Sequence, residues 1–362
     1  MTLGSLSSWE PFACHSERSE ESQGKLREGS LRIRVKQLSF LVLVFVLSQP
    51  LNAFSQENVI VSYDGNSGFQ GPIWTAKDLG LFEKHGLKAE LVLVSGGARG
   101  MQALISGSTQ FAQGSATSPI SLRLQGGDVV IVAAALNKFP FSVVAQKQIR
   151  RPEDLVGKKM GIVNFGGSNE LAVVLALKAW NIPRQAVNLV PSGEAAHRLV
   201  ALTTGNLDAT VLSPPYTTEA ARLGFNILAH LSEMDLPFPQ TVIAVRRSFL
   251  EKNRETVKRF VRAYSEAIHQ FMTQKQQALA VYAKRLKQQN PKVVEDTYLY
   301  YAGKFSLPPR VGRDGMQSAL SLMGDKAADA KSDPGQFVDE SVLDELEREG
   351  FFSKLSGRSP AK

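Results

Sequence analysis

From Val59 onward, short apolar runs of strand type alternate with longer stretches in which apolar residues recur at helical spacing. "NVIVSY" reads as a strand and leads into a polar turn, "DGNSGFQGP". Next, "IWTAKDLGLFEKHG" predicts one helix and "LKAELVLVS" a second strand. A Gly-Gly turn, a helix over 98–106, the strand "FAQGS", a helix over 117–125 and the strand "VVIVAAA" follow. The series then restarts with "RPEDLVGKKMGIVNF", a short helix and a strand. Another helix begins after Gly167, and "AVNLVPS", "LDATVLS", "FNILAHL" and "QTVIAVRR" are further strands, with "EAAHRLVALTTG" a helix between the first two. Alternation of this kind predicts an α/β fold with mainly parallel sheets. Ser248 to Gln289 is helical, with Phe260, Tyr264, Ile268 and Phe271 on one face, and helix continues to about Phe352. Residues 353–362 read as a disordered tail.

One plan occurs twice. "SGGARGMQALISGSTQFAQGSATSP" (95–119) and "PSGEAAHRLVALTTGNLDATVLSPP" (191–215) both run Ser-Gly, helix, Ala-Leu-x-x-Gly, strand, then a turn with Ser and Pro. Ala103, Leu104 and Gly107 match Ala201, Leu202 and Gly205 at one constant displacement. Two similarly built lobes are implied, with their strand-to-helix turns facing each other.

A chain of 362 residues with 43% hydrophobic residues can build more than one core. Its first 55 residues read differently. Arg32, Arg34 and Lys36 precede the apolar run Leu38–Leu47 and the small residues Ala53 and Ser55, the layout of a secretory signal cut near Ser55. The run is too short to span a membrane. The polar segment before it is long for a signal, which suggests that translation starts near Leu31 or Val35. The single cysteine, Cys14, lies in this discarded part, so disulfides, a cysteine nucleophile and a thiolate metal site are excluded from the exported chain. It also precedes the apolar run, so it is no lipid anchor. A soluble periplasmic protein is the expectation. The net charge of +8 is spread along the chain, and the densest basic run, 246–259, is interleaved with acids. Such a run is a solvated helix face rather than a nucleic-acid surface.

Five turns precede helices: Gly65–Gln70, Ser95–Ala98, Gly114–Thr117, Asn164–Asn169 and Ser213–Tyr216. In an open α/β sheet such turns lie at the carboxyl ends of strands, where helix N-termini offer N–H groups to a ligand. Glycine lets backbone approach a guest, and Ser and Asn add short hydrogen-bonding arms. Phe69, Trp74, Phe139, Phe141, Phe165 and Tyr216 sit in or beside the turns; Trp74 and Phe141 read mainly as core. No serine elbow, Walker loop, dinucleotide fingerprint or zinc-helix motif occurs, and His85, His197, His230 and His269 have no paired spacing.

"GPIWTAKDLGLFEKHGLKAELV", "RRPEDLVGKKMGI" and "LTTGNLDATVLSPPYTTEA", together with the doubled segment, resemble the nitrate/sulfonate/taurine-type substrate-binding proteins of ABC importers. These share a superfamily with the thiamine-pyrimidine synthases. The resemblance covers about 57–325. It implies a bilobed, Venus-flytrap fold of periplasmic-binding-protein type 2, with two mixed-sheet lobes joined by two crossover strands. Lobe one would hold 57–145 plus 246–352 and lobe two 146–245, with 141–146 and 241–246 as the crossovers. It further implies a monomer without cofactor, metal or catalysis that delivers a small polar or anionic organic molecule to a permease and its ATPase. By carry-over, the ligand contacts would be Asn66, Phe69 and Gln70; Gly96; Gly114, Ser115 and Ala116; Phe165, Gly167, Ser168 and Asn169; and Ser213 and Pro214. The cleft turns carry no arginine but Arg99, one turn inside its helix, so a charged oxyanion would depend on N–H groups, dipoles and that residue. An enzyme of the synthase superfamily and a ligand sensor for a membrane partner are the alternatives.

Overall fold

The computed structural model describes residues 56–323 and 334–357. The expected export signal, its cleavage near Ser55 and the end of the expected tail lie outside these residues. The helix Phe351–Leu355 reaches into the stretch read as disordered, with Phe352 buried against the core.

Among the described residues ten strands form two mixed sheets of five. In chain order they are β1 (Glu57–Tyr63), β2 (Leu87–Leu93), β3 (Phe111–Gly114), β4 (Val130–Lys138), β5 (Ser142–Ala145), β6 (Lys159–Ile162), β7 (Asn188–Pro191), β8 (Ala209–Leu212), β9 (Asn226–His230) and β10 (Pro237–Val245). The first sheet has the order β2-β1-β3-β10-β4 and the second β7-β6-β8-β5-β9. In each, a parallel trio is extended by antiparallel pairings. The parallel trios are what strand–helix alternation demands. The antiparallel strands enter from the other half of the chain.

The chain changes sheet between Lys138 and Ser142 and returns between His230 and Pro237. Those positions fall ahead of the expected boundaries at 145 and 245, and the expected crossover strands do not cross. β5 pairs on both sides within the second sheet and β10 on both sides within the first. Their small and β-branched residues suit a fully buried interior strand. The crossings are connecting segments instead, and Phe139 in the first stacks on Phe238 just beyond the second at 4.3 Å.

The doubled plan is structural. The helices Gly97–Ile105 and Ala195–Thr203, and the strands β3 and β8, are displaced from one another by the same 98 residues. Elsewhere the segment read as one helix is two, Gly71–Asp78 and Leu81–Lys84, because Gly80 adopts φ 69° between them. The long helix Arg254–Thr273 buries Val257, Phe260, Tyr264, Ile268 and Phe271 at helical spacing. Phe260 stacks on Phe111 of β3 at 3.8 Å, which fixes this helix to the first sheet.

Candidate functional site

β1, β3, β6 and β8 end on one side of their sheets, and the turns after them meet around a cavity of about 370 Å³. This is the size of a small-molecule site. Four helices begin at its wall: Gly97–Ile105, Thr117–Leu124, Ser168–Ala179 and Ala195–Thr203. None is capped by a side chain at its first turn. First-turn N–H groups have no partner inside a helix, so these four ends present donors and positive dipole to the cavity.

Nine of the thirteen carried-over residues line the cavity: Asn66, Phe69, Gly96, Ser115, Phe165, Gly167, Ser168, Asn169 and Ser213. Ser168 is the first residue of its helix, and the cap position before it is Gly167, which has no side chain to cap with. The Asn169 side chain is 6% exposed and its Oδ1 has no protein partner. Phe165 is 54% exposed and forms part of the rim. Of the other aromatics, Phe141 lines the cavity, whereas Trp74 and Phe139 are wholly buried core.

Four of the expected contacts do not line this cavity. Gln70 is fully buried: its Nε2 donates to Asp64 Oδ1 at 3.3 Å and its Oε1 accepts from Gln113. Ala116 packs in the core and its N–H donates to Pro239 O. Gly114 lies beneath Asp64, where a Cβ would come 2.7 Å from Oδ2, so glycine there makes room for the carboxyl. Pro214 O accepts from Gly68 N at 3.1 Å and from Ser67 Oγ at 3.0 Å. With a Ser67–Ser213 hydroxyl pair at 2.7 Å, these bonds join a loop of the first sheet to one of the second.

Sequence reasoning missed three charged residues of the cavity wall: Asp64, Glu194 and Arg198. Asp64 begins the turn after β1. Burial pushes its carboxyl up to about 7 and the Glu194 carboxylate adds to this, against the Gln70 amide and the Ser115 N–H. Glu194 precedes its helix and reaches the turn after Asp64, since a Cβ on Gly65 (φ 117°) would lie 3.3 Å from Glu194 Oε2. Arg198 is 3% exposed. Its Nε donates to Gly193 O at 2.9 Å, and its Nη1 to Val211 O and to Thr210 Oγ1. Burial pulls the guanidinium down to about 10, against the attraction of Glu194. Arg198 is therefore the arginine of the cavity wall, while Arg99 is exposed on its helix and does not line it. In the doubled plan Glu194 corresponds to Gly96 and Arg198 to Gly100. The second copy carries charge where the first has glycine.

Replacing Ser168 and Asn169 together by alanine is expected to weaken binding of a co-purified solute by about tenfold or more, with the thermal unfolding midpoint little changed. Calorimetric titration checks this, and an unchanged Kd would remove the turn from the site.

A family model described as "NMT1/THI5 like" matches residues 70–278. A putative binding protein of Brucella abortus (strain 2308) is 28% identical over 260 residues, 70% of this chain and 80% of its own. The taurine-binding periplasmic protein of Escherichia coli (strain K12) is 30% identical over 177 residues, 47% of this chain and 53% of its own. Among solved structures, the periplasmic aliphatic sulphonate binding protein SsuA from Escherichia coli superposes with a TM-score of 0.62 at 21% identity, covering 79% of this chain and 91% of that one.

Proposed function

Because the chain belongs to the NMT1/THI5 like family, we propose that it is the solute-binding component of an ABC import system, which takes a small organic molecule into the cavity and delivers it to a permease. The observation that carries this reading is the wall itself: turns from two separate sheets, four uncapped helix starts and the partnerless Asn169 Oδ1 converge on one small-molecule volume. The relatives' printed names, binding protein and periplasmic protein, support a binding role rather than catalysis, and a periplasmic location. Among the described residues no helix is long and apolar enough to cross a membrane.

In this reading the halves built on the two sheets are lobes joined by two crossings, and small φ/ψ changes in those segments open and close the cleft. Solute favours the closed arrangement only through its extra affinity for it. The bonds of Ser67 and Gly68 to Ser213 and Pro214 hold the closed form. Asn66, Phe69, Gly96 and Ser115 face the solute from one lobe, and Phe165, Gly167, Ser168, Asn169 and Ser213 from the other. A permease and its ATPase are the partners this role requires, and a single chain suffices for binding.

The test is native purification, identification of the retained small molecule by mass spectrometry, and its return to the stripped protein. The expected result is stabilisation by about 2.7 kcal/mol when free solute is about 100 times Kd, together with compaction in small-angle scattering. A stripped protein whose melting and scattering ignore both that molecule and a panel of sulfonates, carboxylates and pyrimidines would overturn the reading.

A further inference from the structure

Besides the donors at its helix starts, the cavity wall carries two carboxyl groups. Asp64 and Glu194 both line it, and they come from different sheets: Asp64 from the turn after β1, Glu194 from the turn after β7. They are close enough for Glu194 Oε2 to approach the backbone at Gly65, the residue after Asp64. Two further wall residues have buried side-chain oxygens with no protein partner, Asn169 Oδ1 and Gln240 Oε1. The cation that lines the wall, Arg198, already gives Nε and Nη1 to carbonyl and hydroxyl oxygens of its own half. Gln70 gives one amide hydrogen to Asp64, and the backbone N–H groups of Ser115 and of Asp64 itself also donate there. Two carboxyl groups facing one another in a confined space repel, and a guest that donates hydrogen bonds and carries positive charge relieves that repulsion.

We propose that the solute carries a cationic nitrogen group, an amine or an amidine, seated between Asp64 and Glu194. The inference rests on the solute-receptor reading above and names the class of solute. The nitrogen bridges the two lobes, so Asp64 and Glu194 select the guest and also favour closure. An acidic group on the same guest, where there is one, lies toward the helix starts at Gly97 and Ser168 and toward Arg198. A guest with an acidic group alone leaves both carboxylates unanswered.

The experiment compares probes that differ only in this group: aminoethanesulfonate against ethanesulfonate, aminobutanoate against butanoate, and benzamidine against benzamide. Each is titrated calorimetrically into the full stripped protein at about pH 8, above the Asp64 midpoint. The expected result is that the nitrogen cation binds about tenfold or more tightly than its partner in at least one pair. Asp64→Asn and Glu194→Gln should each remove most of that preference while circular dichroism and the urea midpoint show folded protein. Equal or weaker binding of the cation in every pair that binds, or a preference unchanged in both variants, overturns the proposal and leaves the receptor reading standing. Failure of all three cations to bind overturns it too; the receptor reading falls with it only if the retained-molecule experiment is also negative.

Discussion

Replacing Arg198 by methionine should destabilise the protein by about 2–3 kcal/mol, read as a fall in the urea midpoint. Methionine keeps the apolar stem of the side chain, stops short of the guanidinium and has none of its donors. Gly193 O and Val211 O then lose the guanidinium, and Thr210 Oγ1 keeps only its own bond to Gly161 O at 2.9 Å. A buried acceptor left without a donor costs about 1–3 kcal/mol. Val211 is a buried residue of that kind and Gly193 is half-buried, and the loss is offset in part because a desolvated cation is also removed. The effect reaches the ligand. Arg198 ties the turn at Gly193 to strand β8, and that turn carries Glu194. Solute affinity should therefore fall by about tenfold or more. Arg198→Lys should recover only part of either loss, since an ammonium cannot reproduce the planar fork. An Arg198→Met protein with the wild-type urea midpoint would show that these bonds contribute nothing.

The second large effect concerns pH. The Asp64 carboxyl titrates near 7 in the folded protein and near 3.8 when unperturbed. Between these values the folded chain holds a proton that the unfolded chain has released. Stability from this group is therefore fully present below about pH 4 and is lost as pH rises through 7. Asp64→Asn removes the effect. The difference in unfolding free energy between variant and wild type should grow with pH over this window and level off above it. Its size is on the order of 1–2 kcal/mol once solvent screening of this partly open carboxyl is allowed for. Taking a difference matters because Glu266, held low by Lys84 and His85 although its own burial opposes them, slopes the other way. Urea titrations of both proteins from about pH 4 to about pH 8 test this, and parallel curves would contradict it.

The fold was legible in the sequence chiefly because it is doubled. The matched Ala-Leu-x-x-Gly segments fall on helices and strands whose ends keep one displacement, so pattern and structure agree to the residue. The crossings were less legible. The apolar runs at Val143 and Val242 look alike whether a strand links two sheets or lies inside one, and only pairing partners distinguish the two. At the site, glycine, serine and asparagine marked the turns, and most of them reached the cavity. The charged residues escaped notice for separate reasons. Asp64 opens a turn, where aspartate is common for local reasons, and Arg198 is a single cation in a mostly apolar helix, with nothing in the local pattern to show that it turns inward. The clue lay in the comparison of the two copies, where Gly96 and Gly100 give way to Glu194 and Arg198.

That difference between the copies has a consequence for how cargo lies. Two halves built to one plan around a gap would hold an unsymmetrical molecule equally well either way round. Placing Glu194 and Arg198 in one half, opposite glycines at the matching positions of the other, breaks the tie, so under the receptor reading an unsymmetrical cargo is expected to settle with the same end forward each time.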